Sequence, residues 1–209
     1  MRADSSGPAW GLPPLPERFS TRLDVPLVGD IDLDGVLATV EHHSLKGLFF
    51  TRYVDEAWAA VHEQLVEPPA NGKYHAFEAY PMRDYLRLFD FAARARFPGS
   101  VREAFRLLGR SEIEVFAGST FGKVTLAMLG DAGAALLRYP DVLSVVSKGP
   151  VARSERLGPK QVKISFDGAI GSVEHVLGIL EGLSLAFEAS PSVDVQVDEL
   201  RRASLAVSW

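Results

Sequence analysis

The sequence predicts an α+β fold: an N-terminal layer of helices packed on a mainly antiparallel C-terminal sheet. Two observations carry that prediction. Apolar residues recur at helical spacing over most of residues 31–140, and beyond residue 160 the period falls to two in separate short runs. Helices first, then strand, helix, strand and strand is the order of an α+β domain rather than of a parallel α/β sheet. A chain of 209 residues, 47% apolar, is also long enough to bury a core without disulfide or metal support.

Residues 1–30 are rich in Pro, Gly and Ser and read as an extended or partly disordered arm, leaving 31–209 as one domain. Asp30 is placed to cap a first short helix with Leu33, Val36, Leu37 and Val40 on one face. Phe50, Val54, Trp58, Val61 and Leu65 mark a second helix, broken by EPPANG. Pro81 suits the first turn of a third, with Met82, Leu86, Phe89, Ala93 and Phe97 inward, arginines and aspartates opposite, and Pro98-Gly99 at its end. Ser100 with Glu103 and Ser111 with Glu114 read as capping boxes of two further helices, the first closing at Gly109 and the second running to Gly130. Asp131 can cap another that stops before Pro140. Val162, Ile164 and Phe166 then alternate with polar residues as a half-buried strand. Ser172 can cap an amphipathic helix with Val176, Leu180, Leu183 and Phe187 inward. Val193, Val195 and Val197, then Leu205, Val207 and Trp209, predict a hairpin joined through DELRR.

Composition excludes much chemistry. With no cysteine there is no disulfide, thiolate nucleophile, zinc ribbon or iron–sulfur cluster. A net charge of −5 argues against broad affinity for nucleic acid or anionic membranes. Neither a signal peptide nor a membrane span is evident, so a cytoplasmic location is expected. GSTFGKV at 118–124 has one residue too few between its glycines for a phosphate loop and Val124 where Ser or Thr would hold magnesium; its small residues read as close-packing positions. None of His42, His43, His62, His75 and His175 pairs at metal-site spacing, and His175 reads as a surface residue. There is no G-x-S-x-G, and the pairs Asp194/Asp198 and Glu112/Glu114 read as polar faces. The chain is therefore expected not to be an enzyme.

Two features point to binding. Phe50, Tyr53, Trp58, Phe89, Phe116 and Phe121 belong to an aromatic cluster that either lines a pocket for a small apolar molecule or lipid or simply packs the core. Arg102, Arg106 and Arg110 recur every fourth residue and form either an anion or partner surface or a face paired to nearby acids. The expected function is a non-catalytic binding or sensing module; the alternative is an interaction or scaffold protein with a filled core, acting as a homodimer or through a protein partner.

Several segments together resemble a known family: LKGLFF (45–50), YPMRDYLRLFDFAARARFPG (80–99), LGRSEIEVFAGSTFGKV (108–124), GILEG (178–182) and the terminal LAVSW (205–209). In that joint order, over about residues 32–209, they resemble a paralogous family of uncharacterised proteins found mainly in myxobacteria. More distantly the layout is similar to haem nitric-oxide/oxygen-binding domains, which share a Lys-Gly-apolar opening and a late Leu-Glu-Gly, and whose wider superfamily, with vinyl-reductase-type domains and TRAPP subunits, shares a helical layer on an antiparallel sheet. The resemblance implies a fold, not a function. It also implies where haem contacts would fall. With Lys148-Gly149 as the family's Lys-Gly pair, the proximal histidine position lands at or near Pro140. The Tyr-x-Ser-x-Arg that grips the propionates is missing before GILEG; Ser154 and Arg156 lie upstream with Ala152 in place of the tyrosine. No haem, and no other cofactor, is expected.

Overall fold

The computed structural model describes residues 20–23, 30–97, 100–168, 172–190, 192–199 and 202–209. The chain runs through β1 (Ser20–Leu23), α1 (Leu33–Ala38), β2 (Ser44–Lys46), α2 (Thr51–Val61), β3 (Ala79–Pro81), α3 (Met82–Arg96), α4 (Val101–Gly118), α5 (Thr120–Leu129) and α6 (Ala132–Val146). It continues with β4 (Ser147–Lys148), β5 (Val151–Gly158), β6 (Gln161–Asp167), α7 (Val173–Ala186), β7 (Ser192–Glu199) and β8 (Arg202–Ser208). One sheet has the order β1-β7-β8-β6-β5, antiparallel except where β1 joins β7 in parallel. A small second sheet, β3-β2-β4, ties the start of the helical layer to the end of α6. The α+β prediction holds, and so do β6 and the β7–β8 hairpin, whose inward residues Val162, Ile164, Val193, Val195, Leu205 and Val207 are all buried. The turn of that hairpin and the Pro98-Gly99 stop lie outside the described residues.

Two hydrophobic clusters form the interior. The helical one is rich in aromatics, with Phe50, Tyr53, Tyr85, Phe89 and Phe105 fully enclosed. The sheet-side one is mainly aliphatic and joins β6, β7 and β8 to Val173, Val176, Leu177 and Leu180 of α7. Helix α7 lies between the two and is buried on every side from Val173 to Ser184, rather than amphipathic as its periodicity suggests.

Other elements depart from expectation for identifiable reasons. The 1–30 arm contributes β1, paired Ser20 to Ser192 through Leu23 to Val195; a short edge strand carries little sequence signal. β5 is the opposite edge and is polar and largely exposed for the same reason. Asp32, not Asp30, caps α1, accepting the Gly35 N–H at 3.0 Å, while Asp30 pairs with Arg94 at 2.7 Å. The buried face of α2 runs Phe50, Tyr53, Ala57 and Val61, with Val54 and Trp58 only half-buried. On α3 the acids are not all opposite the core: Asp84 is fully buried and accepts N–H bonds from Val66 (2.7 Å) and Glu67 (3.0 Å).

The two helices expected across 100–130, a short one closing at Gly109 and a longer one running to Gly130, are redistributed. Helix α4 passes straight through Gly109 and Ser111, and the break comes at Ser119, which accepts the Gly122 N–H to start α5. Ser100 makes no side-chain cap, and the buried Ser111 hydroxyl donates back to the Leu108 carbonyl at 2.6 Å instead of capping. Gly109 is there for space, since a Cβ would sit 2.2 Å from the His175 carbonyl oxygen. Asp131 caps α6 as expected, but the helix carries Pro140 inside it and continues to Val146.

Candidate functional site

The α4–α7 contact sets the geometry of everything nearby. GILEG places Gly178 and Gly182 one turn apart on α7. A Cβ on Gly178 would lie 1.9 Å from the Arg106 carbonyl oxygen, and one on Gly182 2.7 Å from that of Arg110. At such close approach, long side chains on the flanks of α4 reach past α7. Arg102 Nη1 donates to Glu174 Oε1 at 2.9 Å, and Arg106 Nε donates to Glu181 Oε1 at 2.7 Å. The arginine strip is thus turned onto α7, and two of its three members are neutralised there rather than presented as an open anion surface. Burial raises the Glu181 carboxyl above the usual carboxylate range, with Arg106 acting in the opposite direction.

Beside this seam lies a cavity of about 70 Å³. Its walls are Leu45 and Phe49, then Glu112, Ile113 and Phe116 of α4 and Leu126 and Leu129 of α5. Ala135, Tyr139, Val142, Leu143 and Val146 of α6, with Ile179 and Leu183 of α7, complete it. Glu112 is the one charged group, and it is buried. The Tyr85 hydroxyl donates to its Oε1, and His175 Nε2 lies 3.0 Å from its Oε2, within ion-pair range but outside hydrogen-bond geometry. Burial, and next the Glu112 charge, push the Tyr53 and Tyr139 hydroxyls well above the ordinary phenol range. His175, expected at the surface, is fully enclosed at this junction.

The six aromatics singled out from the sequence divide. Phe116 lines the cavity. Phe121 packs edge-on against Phe116 at 5.7 Å, and Trp58 stacks on His62 at 5.7 Å. Phe50, Tyr53 and Phe89 are core, linked through Tyr85 at 5.4–5.9 Å between ring centroids. The other walls were missed because they come from five separate segments, mostly small or aliphatic residues with no individual signature. GSTFGKV is the α4–α5 junction: Gly122 is tight, with a Cβ 1.7 Å from the Phe116 carbonyl oxygen, but Gly118 has no neighbour within 4 Å and is not a packing position.

The residues present do not fit a haem. None of the cavity walls is His, Cys or Met, burial holds the one tyrosine among them, Tyr139, in its protonated form rather than as a phenolate ligand, and the volume is far below the roughly 300–1,000 Å³ of ordinary ligand pockets. The Ser154 hydroxyl donates to the Leu137 carbonyl (2.6 Å) and Arg156 to the Pro159 carbonyl (3.2 Å), so neither is placed as a propionate partner. Among the described residues no group of three or more His, Cys, Asp or Glu is arranged to hold a metal ion. Among the same residues no helix is long and apolar enough to cross a membrane.

The fold has solved counterparts. An H-NOX protein from K. algicida, in the Fe(II) unliganded state, superposes with a TM-score of 0.59 at 15% identity, over 78% of this chain and 96% of its own. An H-NOX protein from S. oneidensis in the Fe(II)NO ligation state gives 0.59 at 14%, over 78% and 98%. At such identities the likeness establishes a shared H-NOX-type fold and nothing further. No curated protein matches the sequence. Residues 38–209 match the family model described as protein of unknown function (DUF2378), and the chain belongs to that family.

Proposed function

We propose that this domain is a haem-free, non-catalytic binding module that holds a small apolar molecule in the cavity between α4, α5, α6 and α7. The observation that carries the reading is the cavity itself: an almost wholly apolar space on the helix, α6, where the resemblance puts the haem ligand position, at Pro140. An apolar pocket of this kind gains contacts when an apolar guest enters. At about 70 Å³ it is smaller than an engineered void of roughly 150 Å³ that takes benzene, so it suits a guest of a few heavy atoms unless α5 shifts. α5 supplies the outer wall through Leu126 and Leu129 and ends at Gly130, in the left-handed region at φ +78°.

The test is a methyl NMR titration of the full chain with xenon and with benzene. Shifts confined to Ile113, Ile179, Leu183 and Leu143 support the reading, and Leu126→Ala should strengthen benzene binding by enlarging the space. Unmoved cavity methyls with both probes would overturn it. One observation favours the alternative, partner-binding reading: on α5 Val124 is 56% and Met128 82% exposed. A sedimentation coefficient that falls on Met128→Glu would support that reading instead.

A further inference from the structure

Arg110 is the third arginine of the α4 strip, and its situation differs from that of the other two. Arg102 and Arg106 each find a glutamate on α7. Acids stand at Glu174 and Glu181, but one turn further along α7 the chain offers Leu185 and Ala186. Arg110 is nevertheless buried, at 7% exposure. Its Nε is enclosed without a hydrogen-bond partner, and among the described residues no ion pair includes it. Its charge is felt by Glu181, but the hydrogen bonds of that carboxylate come from Arg106. A guanidinium whose Nε is shut away from both water and a partner is costly.

The side chain lines a groove of about 220 Å³, separate from the apolar cavity but sharing Ile113 as a wall. The rest of the groove is Glu114, Ala117, Gly182, Leu185 and Ala186. Glu114 stands at the rim with its side chain 42% exposed and 3.9 Å from Arg52 Nη1. Arg110 is thus a largely buried cation without an ion pair among the described residues, at one end of a trough that is aliphatic apart from Glu114.

We propose that this groove is a binding site for a small organic carboxylate with an aliphatic tail, its carboxylate received by the Arg110 guanidinium and its chain laid on Ile113, Ala117, Leu185 and Ala186. A planar guanidinium offers parallel N–H donors that match a carboxylate, which accounts for selection of an acid over the corresponding alcohol. The site does not depend on the cavity being occupied.

The experiment titrates the full chain with octanoate and, separately, octanol, followed by calorimetry and methyl NMR. Octanoate should bind with shifts at Ile113 and Leu185, and Arg110→Gln should weaken it tenfold or more while leaving octanol unchanged. Ala186→Leu, which fills the groove and keeps the arginine, should weaken octanoate as well. A second readout needs no ligand: because Arg110 has no partner in the fold, Arg110→Met should keep or raise the melting temperature. Octanoate that fails to bind, binding that Arg110→Gln leaves intact or weakens equally for octanol, or an Arg110→Met protein that melts well below wild type would each overturn the proposal.

Discussion

Helices α5 and α7 are both apolar in composition, and they lie in opposite environments. Every residue of α7 from Val173 to Ser184 is buried, whereas Gly122 is the one residue of α5 that is. Composition does not separate them; contact geometry does. α7 carries Gly178 and Gly182 where α4 can come against its backbone, and Glu174 and Glu181 where the arginines of α4 can reach. α5 has one such glycine, Gly122 in its first turn against the Phe116 carbonyl, and no acid that an arginine of α4 reaches. Its N-terminus follows Gly118, which touches nothing, and its C-terminus is a glycine in the left-handed region. A helix becomes a fixed central element when its small residues admit a neighbour's backbone and its charges meet partners; without these, apolar side chains leave it a cover.

The sharpest way to break this contrast is to add a methyl group to each helix system. Gly178→Ala puts a Cβ against the Arg106 carbonyl and Arg110 nitrogen, both backbone atoms that cannot step aside, and should cost about 3 kcal/mol or more by urea unfolding. Gly118→Ala meets nothing and should be neutral or gain about 0.5 kcal/mol. Equal losses at the two positions would mean that the α4–α7 approach is not what fixes α7.

Removing the Arg106 charge comes next. Arg106→Met leaves Glu181, at 1% exposure, without its donor and should cost about 3 kcal/mol, while the double change to Met at both positions should return close to wild type. The same pair has a signed pH dependence. Because burial holds the folded-state pKa of Glu181 above its unfolded value, the folded state favours the protonated form. Its contribution is present in full below the unfolded value and is lost as pH rises through the folded one. Wild type should therefore lose stability relative to Glu181→Gln as pH is raised from about 4 toward neutral. A difference that stays flat or changes in the other sense contradicts the assignment. At the far end of α5, Gly130→Ala forces a side chain into φ +78° and should cost about 1–2 kcal/mol.

The contrast also marks where the sequence was legible. β6, the β7–β8 hairpin and α3 were readable because each buries one face, and a one-faced element writes its period into the chain: Val162, Ile164 and Phe166 inward, Lys163 and Ser165 less so. α7 is buried all round, so Glu174, His175 and Glu181 look like a solvated face until Arg102, Arg106 and Glu112 are seen across from them. Those partners lie 63–75 residues away, and no local pattern encodes such a distance. The cavity was less legible still. The sequence pointed to rings, and rings such as Phe50, Tyr53 and Phe89 fill space so well that they close the core. The void formed where Ala135, Ile113 and Leu126 meet, among residues too small or too far apart to stand out. The arginine spacing was visible, but which arginine lacks an acid was decided by Leu185 and Ala186 standing on the opposite helix.

The smallest expected effect tests the cover itself. Met128 is 82% exposed at the outer face of α5, so Met128→Lys removes almost no buried area and should change stability by less than about 0.5 kcal/mol. The substitution is informative because of what the neighbouring residues do. Leu126 and Leu129 face the cavity from the same helix, so a small effect at 128 beside a large one on benzene binding at 126 would separate the inner and outer faces of α5. A loss above about 1 kcal/mol at 128 cannot come from contacts among the described residues, since the side chain has few to lose there. It would place a second surface over α5 in solution, and the helix would then be an interface rather than a cover.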